Sequence, residues 1–172
     1  MAQIRRPGGF TIIELMVTLA IAGVLIGFAL PAFNGFINQR QITATVNDFV
    51  LAMNYARSEA ARLGGAVTVQ AITAADTDNE WGPGFCVVQG TPGNCDGTTL
   101  RRFGDGYPDG AINGLDTLDG IAAFTFNSRG LMTAGAAGAM SVCATDTDTD
   151  PGRTLTVTAI GRVSVAERVC HP

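Results

Sequence analysis

The chain has 172 residues, enough for one modest domain plus one further element, and a formal charge of −4. With 15 acidic residues against 11 basic ones, it lacks the basic excess of a generic nucleic-acid binder. The apolar content, 47%, is unevenly spread: Leu15 to Leu30 holds no charge, while the remainder is rich in Gly, Thr and Asp, as in small β domains with many turns.

Residues 1–9, MAQIRRPGG, are short and basic and end in Gly8-Gly9. Residues 10–33 follow as FTIIELMVTLAIAGVLIGFALPAF, with Glu14 as their only charge. About 20 apolar residues in helical form span the hydrocarbon core of a bilayer, where a helix satisfies its own backbone groups. Arg5 and Arg6 predict a cytoplasmic N-terminus, with the rest of the chain outside. A cleaved secretory signal peptide and a plain membrane anchor are the two bland alternatives. The first fits poorly, because the small-x-small triplet Ala20-Ile21-Ala22 lies inside the apolar run. Neither explains Glu14, since a carboxylate at the centre of a membrane helix costs about 2.5–3.5 kcal/mol and calls for a partner.

The segment Gly9-Phe10-Thr11-Ile12-Ile13-Glu14 resembles the class III signal of type IV pilins and type II secretion pseudopilins. The resemblance implies a prepilin leader, residues 1–9, removed by a prepilin peptidase between Gly9 and Phe10, followed by N-methylation of Phe10. The family's conserved-position Glu falls on Glu14 and its helix-kinking Pro on Pro31, so cleavage site, Phe, Glu and Pro share one register. It also implies a role for Glu14 in assembly. Cleavage leaves a positive amine on Phe10, and the Glu14 carboxylate of one subunit pairs with that amine on a neighbour. Both charges then lie in a low-dielectric bundle, where leaving either unpaired is costly, and the pair sets the axial register.

Beyond Pro31 the pattern becomes amphipathic. Ile42, Val46, Phe49, Val50, Met53 and Ala60 recur at helical spacing, with Arg40, Asn47, Asn54 and Arg62 largely elsewhere. Gly64-Gly65 is a stop signal. From Phe10 to Leu63 a helix would run about 80 Å at ~1.5 Å per residue, and Pro31 with Gly35 argues against a straight rod. The expected organisation is a leader over 1–9, a transmembrane and assembly helix over 10–33, an amphipathic helix over 34–64 and a β-rich domain over 65–172. Strands are predicted at Ala66–Ile72, Gly84–Gln89, Thr99–Phe103, Ile121–Phe126, Ala139–Ala144, Thr154–Ile160 and Val163–Val169, separated by Gly, Asn, Asp and Pro. The predicted fold class is α+β: a long N-terminal membrane-spanning helix packed on an antiparallel two-sheet domain.

Three patches of the β-rich part resemble the GspH/FimT family of minor pseudopilins and minor pilins. They are Trp81-Gly82-Pro83-Gly84-Phe85, Phe126-Asn127-Ser128-Arg129-Gly130 and Gly161-Arg162-Val163, the last followed by a terminal Cys. The late Gly-Arg turn and the two Cys around it point to a minor rather than a major subunit. Four Cys allow three pairings, of which Cys86–Cys95 with Cys143–Cys170 is favoured. The first bridge closes a hairpin-sized loop and the second ties the last strand to one just upstream. In the chain-entropy treatment they contribute about 2.7 and about 3.6 kcal/mol. Metal binding by these thiols would need C-x₂-C spacing or His partners, and the only His is His171.

No catalytic constellation, P-loop or H-E-x-x-H is present, so neither an enzyme nor a cofactor is expected. Asp146-Thr147-Asp148-Thr149-Asp150 begins like a Ca²⁺ loop, but Pro151 and Val157 stand where Gly and Glu are needed. That run, like Asp76, Asp78 and Glu80, reads as a solvated loop, and no metal site is expected. The favoured function is a minor pseudopilin of a type II secretion system, taking part in protein transport. It would be anchored in the inner membrane by a single pass, with its C-terminal domain in the periplasm. Its expected partners are other pilin or pseudopilin subunits, the prepilin peptidase and the inner-membrane assembly platform. The competing reading is a FimT-like minor pilin of a type IV pilus that binds DNA for uptake. Members with that role carry Gly-Arg-x-Arg; here Ser164 replaces the second Arg, with Arg153 and Arg168 as possible substitutes. Loss of residues 1–9 also removes Arg5 and Arg6, which makes the chain more acidic and opposes approach to DNA.

Overall fold

The computed structural model describes residues 10–72, 81–104, 113–115, 120–143 and 151–170. One helix, α1 (Ile12–Leu63), precedes the strands β1 (Val67–Ala71), β2 (Phe85–Gln89), β3 (Thr99–Phe103), β4 (Asn113–Leu115), β5 (Ala123–Phe126), β6 (Met132–Ala134), β7 (Gly138–Val142), β8 (Pro151–Val157) and β9 (Val163–Val169). The chain divides into two compact units, Met1–Ile37 and Asn38–Pro172, and α1 contributes to both.

In the first unit, Thr11 caps the helix: its Oγ1 accepts the backbone N–H of Glu14 at 3.3 Å. That satisfies one of the donors every helix start leaves unpaired. Every described side chain from Ile12 to Gly27 is exposed. α1 passes through position 31 without ending, so Pro31 does not terminate the helix.

In the second unit, α1 buries Ile42, Val46, Phe49, Ala52, Met53, Ala56 and Ala60. This is the predicted stripe, widened by two alanines, with Val50 half-buried beside it. Gly64 adopts φ 66°, and the Gly65 N–H bonds back to the Ala60 carbonyl at 3.3 Å. That six-to-one bond is a Schellman stop, and it needs a residue without a Cβ at Gly64.

The strands form a five-stranded sheet, in order β3-β2-β1-β5-β6, and a four-stranded sheet, in order β4-β7-β8-β9. Every pairing in both is antiparallel. Each of the seven predicted strands has its counterpart, and β3 and β9 match end to end. The structure adds β4 and β6, three residues each, too short to show alternation. Asn113-Gly114 inside β4 also reads locally as a turn.

The core lies where the helix stripe meets both sheets. Phe49 sits edge-on to Trp81 at 5.3 Å and to Phe124 at 6.1 Å. Trp81 stacks on Phe124 at 5.3 Å and its indole N–H donates to the Ile121 carbonyl at 2.8 Å. Central strand β1 is buried on both faces. Its polar residues are paired: Thr68 Oγ1 lies 2.9 Å from Thr125 Oγ1, and the Gln70 amide donates to the Ala122 carbonyl at 3.0 Å.

Both expected disulfides are present. Cys86–Cys95 pins the β2–β3 connection, and Cys143–Cys170 joins the residue after β7 to the residue after β9. β7 and β9 flank β8 on opposite sides, so strands at ordinary spacing stand about 9.5 Å apart. The bridged Cα atoms are 5.7 Å apart, and the strand between them must therefore pass without a side chain. That position is Gly152. An added Cβ there would overlap Cys170 Sγ and lie 3.1 Å from Cys143 Sγ. Gly152→Ala is expected to displace the bridge and cost about 2–5 kcal/mol, the range for losing a native disulfide. Thiol titration of the unreduced chain checks this together with thermal unfolding. The expected result is two free thiols and a lowered melting temperature.

Candidate assembly site

Two regions bear on function, one in each unit. The first is the start of α1. Gly9 and the expected cleavage bond lie outside the described residues. Phe10 is 70% exposed, and the exposed large apolar side chains continue through Ile12, Ile13, Leu15 and Met16 to Ile26. An apolar surface of this extent on one helix marks a membrane or a partner surface. Among the described residues no helix is long and apolar enough to cross a membrane. The expected span, residues 10–33, extends beyond the described side chains, which stop at Gly27 in that run.

Glu14 is exposed within this apolar surface. The structure adds something the sequence reading missed. Thr11-Ile12-Ile13-Glu14 has the spacing of a capping box, with Glu14 at the third helical position. A carboxylate there faces the positive end of the helix dipole, worth about 0.3–1 kcal/mol. Glu14 therefore has a local reason to sit near a helix start as well as the intermolecular one implied by the resemblance.

The second region is a junction of turns on Arg57. This residue continues the apolar stripe one turn beyond Met53, and it is half-buried. Its Nε donates to the Gly130 carbonyl at 3.1 Å and its Nη2 to the Ile160 carbonyl at 2.9 Å. Its guanidinium also lies over the Phe126 ring, 5.2 Å from the centroid. Gly130 follows β5 in the first sheet, and Ile160 follows β8 in the second. One helix side chain thus ties a turn of each sheet to α1.

The glycines in these turns are required by close approach. Gly161 has φ 76°, and a Cβ there would lie 2.5 Å from Phe126 Cε1 and 3.1 Å from Arg57 Nη2. Gly130 has φ 70°, and a Cβ there would lie 2.9 Å from Arg57 Cγ. The patches Phe126–Gly130 and Gly161–Val163 are far apart in sequence and meet here. The third patch places Trp81 and Phe85 in the adjoining aromatic core.

Arg162 projects from the β8–β9 turn and is exposed. Its N–H donates to Thr158 Oγ1 at 3.1 Å, and among the described residues its guanidinium has no partner. Arg153 lies 3.7 Å from Glu167, and the Arg168 Nε donates to the Val169 carbonyl at 3.3 Å. The register pairs Val157 with Val163 beside the turn, but Arg153 with Glu167 and Gly152 with Arg168 at the far end. Arg168 is therefore about 20 Å along the strand from Arg162, at ~3.3 Å per residue. The hairpin does not bring Arg162 together with Arg153 or Arg168. Arg57, and Arg129 next to Gly130, are the basic residues of the turns joined at its end.

Asp76, Asp78, Glu80, the run Asp146–Asp150 and His171 lie outside the described residues. Among the described residues, no group of His, Cys, Asp and Glu is arranged to hold a metal ion.

A helix that exposes its apolar N-terminal part, and whose later part packs on two antiparallel sheets, defines a pilin-like subunit. The chain belongs to the GspH family, described as type II transport protein GspH, which matches residues 45–161. The prokaryotic N-terminal methylation motif matches residues 4–30. Among characterised relatives, Fimbrial protein Q of Moraxella bovis is 38% identical over 43% of this chain and 46% of its own length. A fimbrial protein of Pseudomonas aeruginosa is also 38% identical, over 43% of this chain and 47% of its own. The chain thus spans about half the length of these curated relatives. Among solved structures, the type IV minor pilin FimU of Pseudomonas aeruginosa strain PAO1 is similar with a TM-score of 0.59. That alignment has 22% identity and covers 78% of this chain and 98% of that one, a likeness of fold.

The Arg57 junction separates two kinds of Arg. Arg57→Ala is expected to cost about 2 kcal/mol, because it leaves the Gly130 and Ile160 carbonyls without their charged donor. Arg162→Ala is expected to stay within about 0.5 kcal/mol, as at most surface sites. Denaturant unfolding of the two variants side by side checks the contrast, and equal effects would refute it.

Proposed function

We propose that this chain is a minor pseudopilin, a structural subunit of a type II secretion pseudopilus that takes part in protein secretion. The observation that carries the reading is the match of the type II transport family across residues 45–161, joined to a methylation motif over 4–30. In this reading the leader, residues 1–9, is removed by a prepilin peptidase and Phe10 is N-methylated. The helix over 10–33 holds the chain in the inner membrane, with the β-rich domain in the periplasm. An inner-membrane assembly platform then draws the subunit into a filament of other pseudopilins. The role is structural, and no catalytic group is invoked.

The physical case for assembly rests on Glu14. An exposed carboxylate among exposed Ile13, Leu15 and Val17 is tolerable beside water or a helix N-terminus. In a bundle of apolar helices it needs a cation, and the amine of a neighbour's Phe10 supplies one. Pairing removes the penalty of a lone charge in low dielectric only when the two groups align. Axial register follows from that requirement.

A second reading is supported by specific observations: the fimbrial relatives and the fold likeness to the minor pilin FimU. Under it the same subunit joins a type IV pilus, and DNA binding through Arg162 is a further possibility of that reading. Removal of the leader leaves the chain with fewer Arg against the same acidic residues, which favours the purely structural role.

Two measurements test the proposal. Mass spectrometry of the membrane-extracted protein is expected to find a mature N-terminus at Phe10 bearing one added methyl group. A mature chain beginning at Gly23 or later would identify a conventional signal peptide and sink the pilin reading. Glu14→Ala is expected to leave insertion and cleavage intact while reducing co-purification with other pilin-like subunits. The cap itself survives this change, because Thr11 bonds to the backbone N–H of residue 14 rather than to its side chain. Undiminished co-purification would rule out the pairing role. The identity of the subunits recovered with the wild type, secretion or pilus, decides between the two machines.

A further inference from the structure

The turn junction brings exposed residues from the two sheets onto one end of the domain. Arg57 holds the Gly130 and Ile160 carbonyls on one guanidinium, so residues next to them are neighbours in space although some thirty positions apart in sequence. Two of these are large aliphatics left in water: Leu131 is 47% exposed and Ile160 is 59% exposed. Two more are Arg129 and Arg162, both exposed. Their backbone N–H groups are used inside the turns, Arg129 to Asn127 Oδ1 at 2.9 Å and Arg162 to Thr158 Oγ1 at 3.1 Å. Among the described residues neither guanidinium has a carboxylate or a side-chain hydrogen-bond partner. Arg57 and Arg153, by contrast, are both engaged within the fold.

We infer that Arg129, Leu131, Ile160 and Arg162 form a docking face for an acidic segment of a neighbouring pilin-like subunit, one that presents carboxylates beside an aliphatic side chain. The inference rests on the assembly reading given above and adds to it a second contact, made by the β-rich domain rather than by the apolar helix. Charge complementarity selects the occupant. The chain as a whole is acidic, so two exposed Arg on turns joined through Arg57, neither paired with a carboxylate among the described residues, favour a partner that brings carboxylates. Arg is enriched at interface centres because its planar fork takes a carboxylate in two bonds. The exposed Leu131 and Ile160 supply the apolar contact that a carboxylate alone does not use. A DNA backbone fits the face less well. It repays neutralisation of many phosphates, whereas this face offers two cations on an acidic domain, and the aliphatic pair gains nothing from phosphates.

The face is held rigidly. Both flanking turns are fixed by the same Arg57, and both turn glycines are packed too closely for a side chain. Changes at Arg129 and Arg162 therefore alter the surface without loosening the turns.

The test uses the full chain in cells that assemble the filament. A photoreactive residue is placed at Leu131 or at Ile160, and a control is placed at Val17 on the exposed apolar helix. The expected result is that all three positions capture pilin-like subunits identified by mass spectrometry. At Leu131 and Ile160 the captured peptide should contain Asp or Glu. Arg129→Glu combined with Arg162→Glu should cut capture at those two positions about tenfold, leaving capture at Val17 unchanged. Capture at Val17 with none at Leu131 or Ile160 overturns the docking face alone. So does undiminished capture in the doubly substituted chain, or a nuclease-sensitive DNA adduct or lipid adducts in place of protein. Absence of capture at all three positions removes the assembly reading and the docking face together.

Discussion

The later half of α1 has one apolar stripe and two sheets to bury it against, and most of the domain's geometry follows from that constraint. Phe49 is the centre of the arrangement. It meets Trp81, Phe85 and Phe124 edge-on, so the helix is seated on rings from two separate stretches of chain. Sheets joined only through a shared helix can slide along it. Arg57 resists that motion, because its two carbonyl acceptors belong to turns of different sheets. A guanidinium suits this task where an ammonium does not, since its donors diverge in one plane and reach both acceptors together. The apolar stripe supplies adhesion, and Arg57 within it supplies register.

That junction gives a physical account of how short patches far apart in this sequence come together. Phe126 presents its ring to Arg57, and Gly130 and Gly161 make room for the same side chain. A Cβ at Gly161 would strike Phe126, which pairs across β5–β1 with Val67 in the core. The late Gly-Arg turn is therefore first a packing device. What Arg162 does is a separate matter, because its side chain leaves the junction for solvent.

Much of the fold was legible in the sequence, for identifiable reasons. The helix stripe from Ile42 to Ala60 and the Gly64-Gly65 stop rest on 3.6-residue periodicity and on a conformation open to glycine. β9 and β3 were bounded correctly because turn residues flank them on both sides. The disulfide pairing is favoured because one bridge closes a hairpin-sized loop and the other ties the last strand to one just upstream, and both are present. What stayed hidden were features made by tertiary contact. β4 and β6 are pairing partners too short to have a pattern of their own. Arg57 has no sequence signal beyond its place one turn after Met53. Arg153 and Arg168, the suggested substitutes for a second Arg beside Arg162, do not lie near it in space. The β8–β9 register puts Arg153 and Arg168 at the opposite end, and the basic residue beside the Arg162 turn is Arg57.

Glu14 shows how one residue answers two demands. In the isolated subunit its position follows from helix chemistry: Thr11 caps the third amide of α1, and a carboxylate at that amide favours the helix start. Those gains are modest, and water shares them. Burying the same carboxylate among apolar helices changes the scale, because the desolvation penalty then dominates unless a cation is supplied. In the proposed assembly, leader removal would leave an amine at Phe10 of each neighbour, four residues upstream of Glu14, with the right charge and near the same end of the helix. A subunit displaced by one turn, about 5.4 Å, would leave both charges unpaired. The cap fixes where the helix starts and so places Glu14 at its third position, and in the proposed assembly the low-dielectric bundle would make that placement decisive.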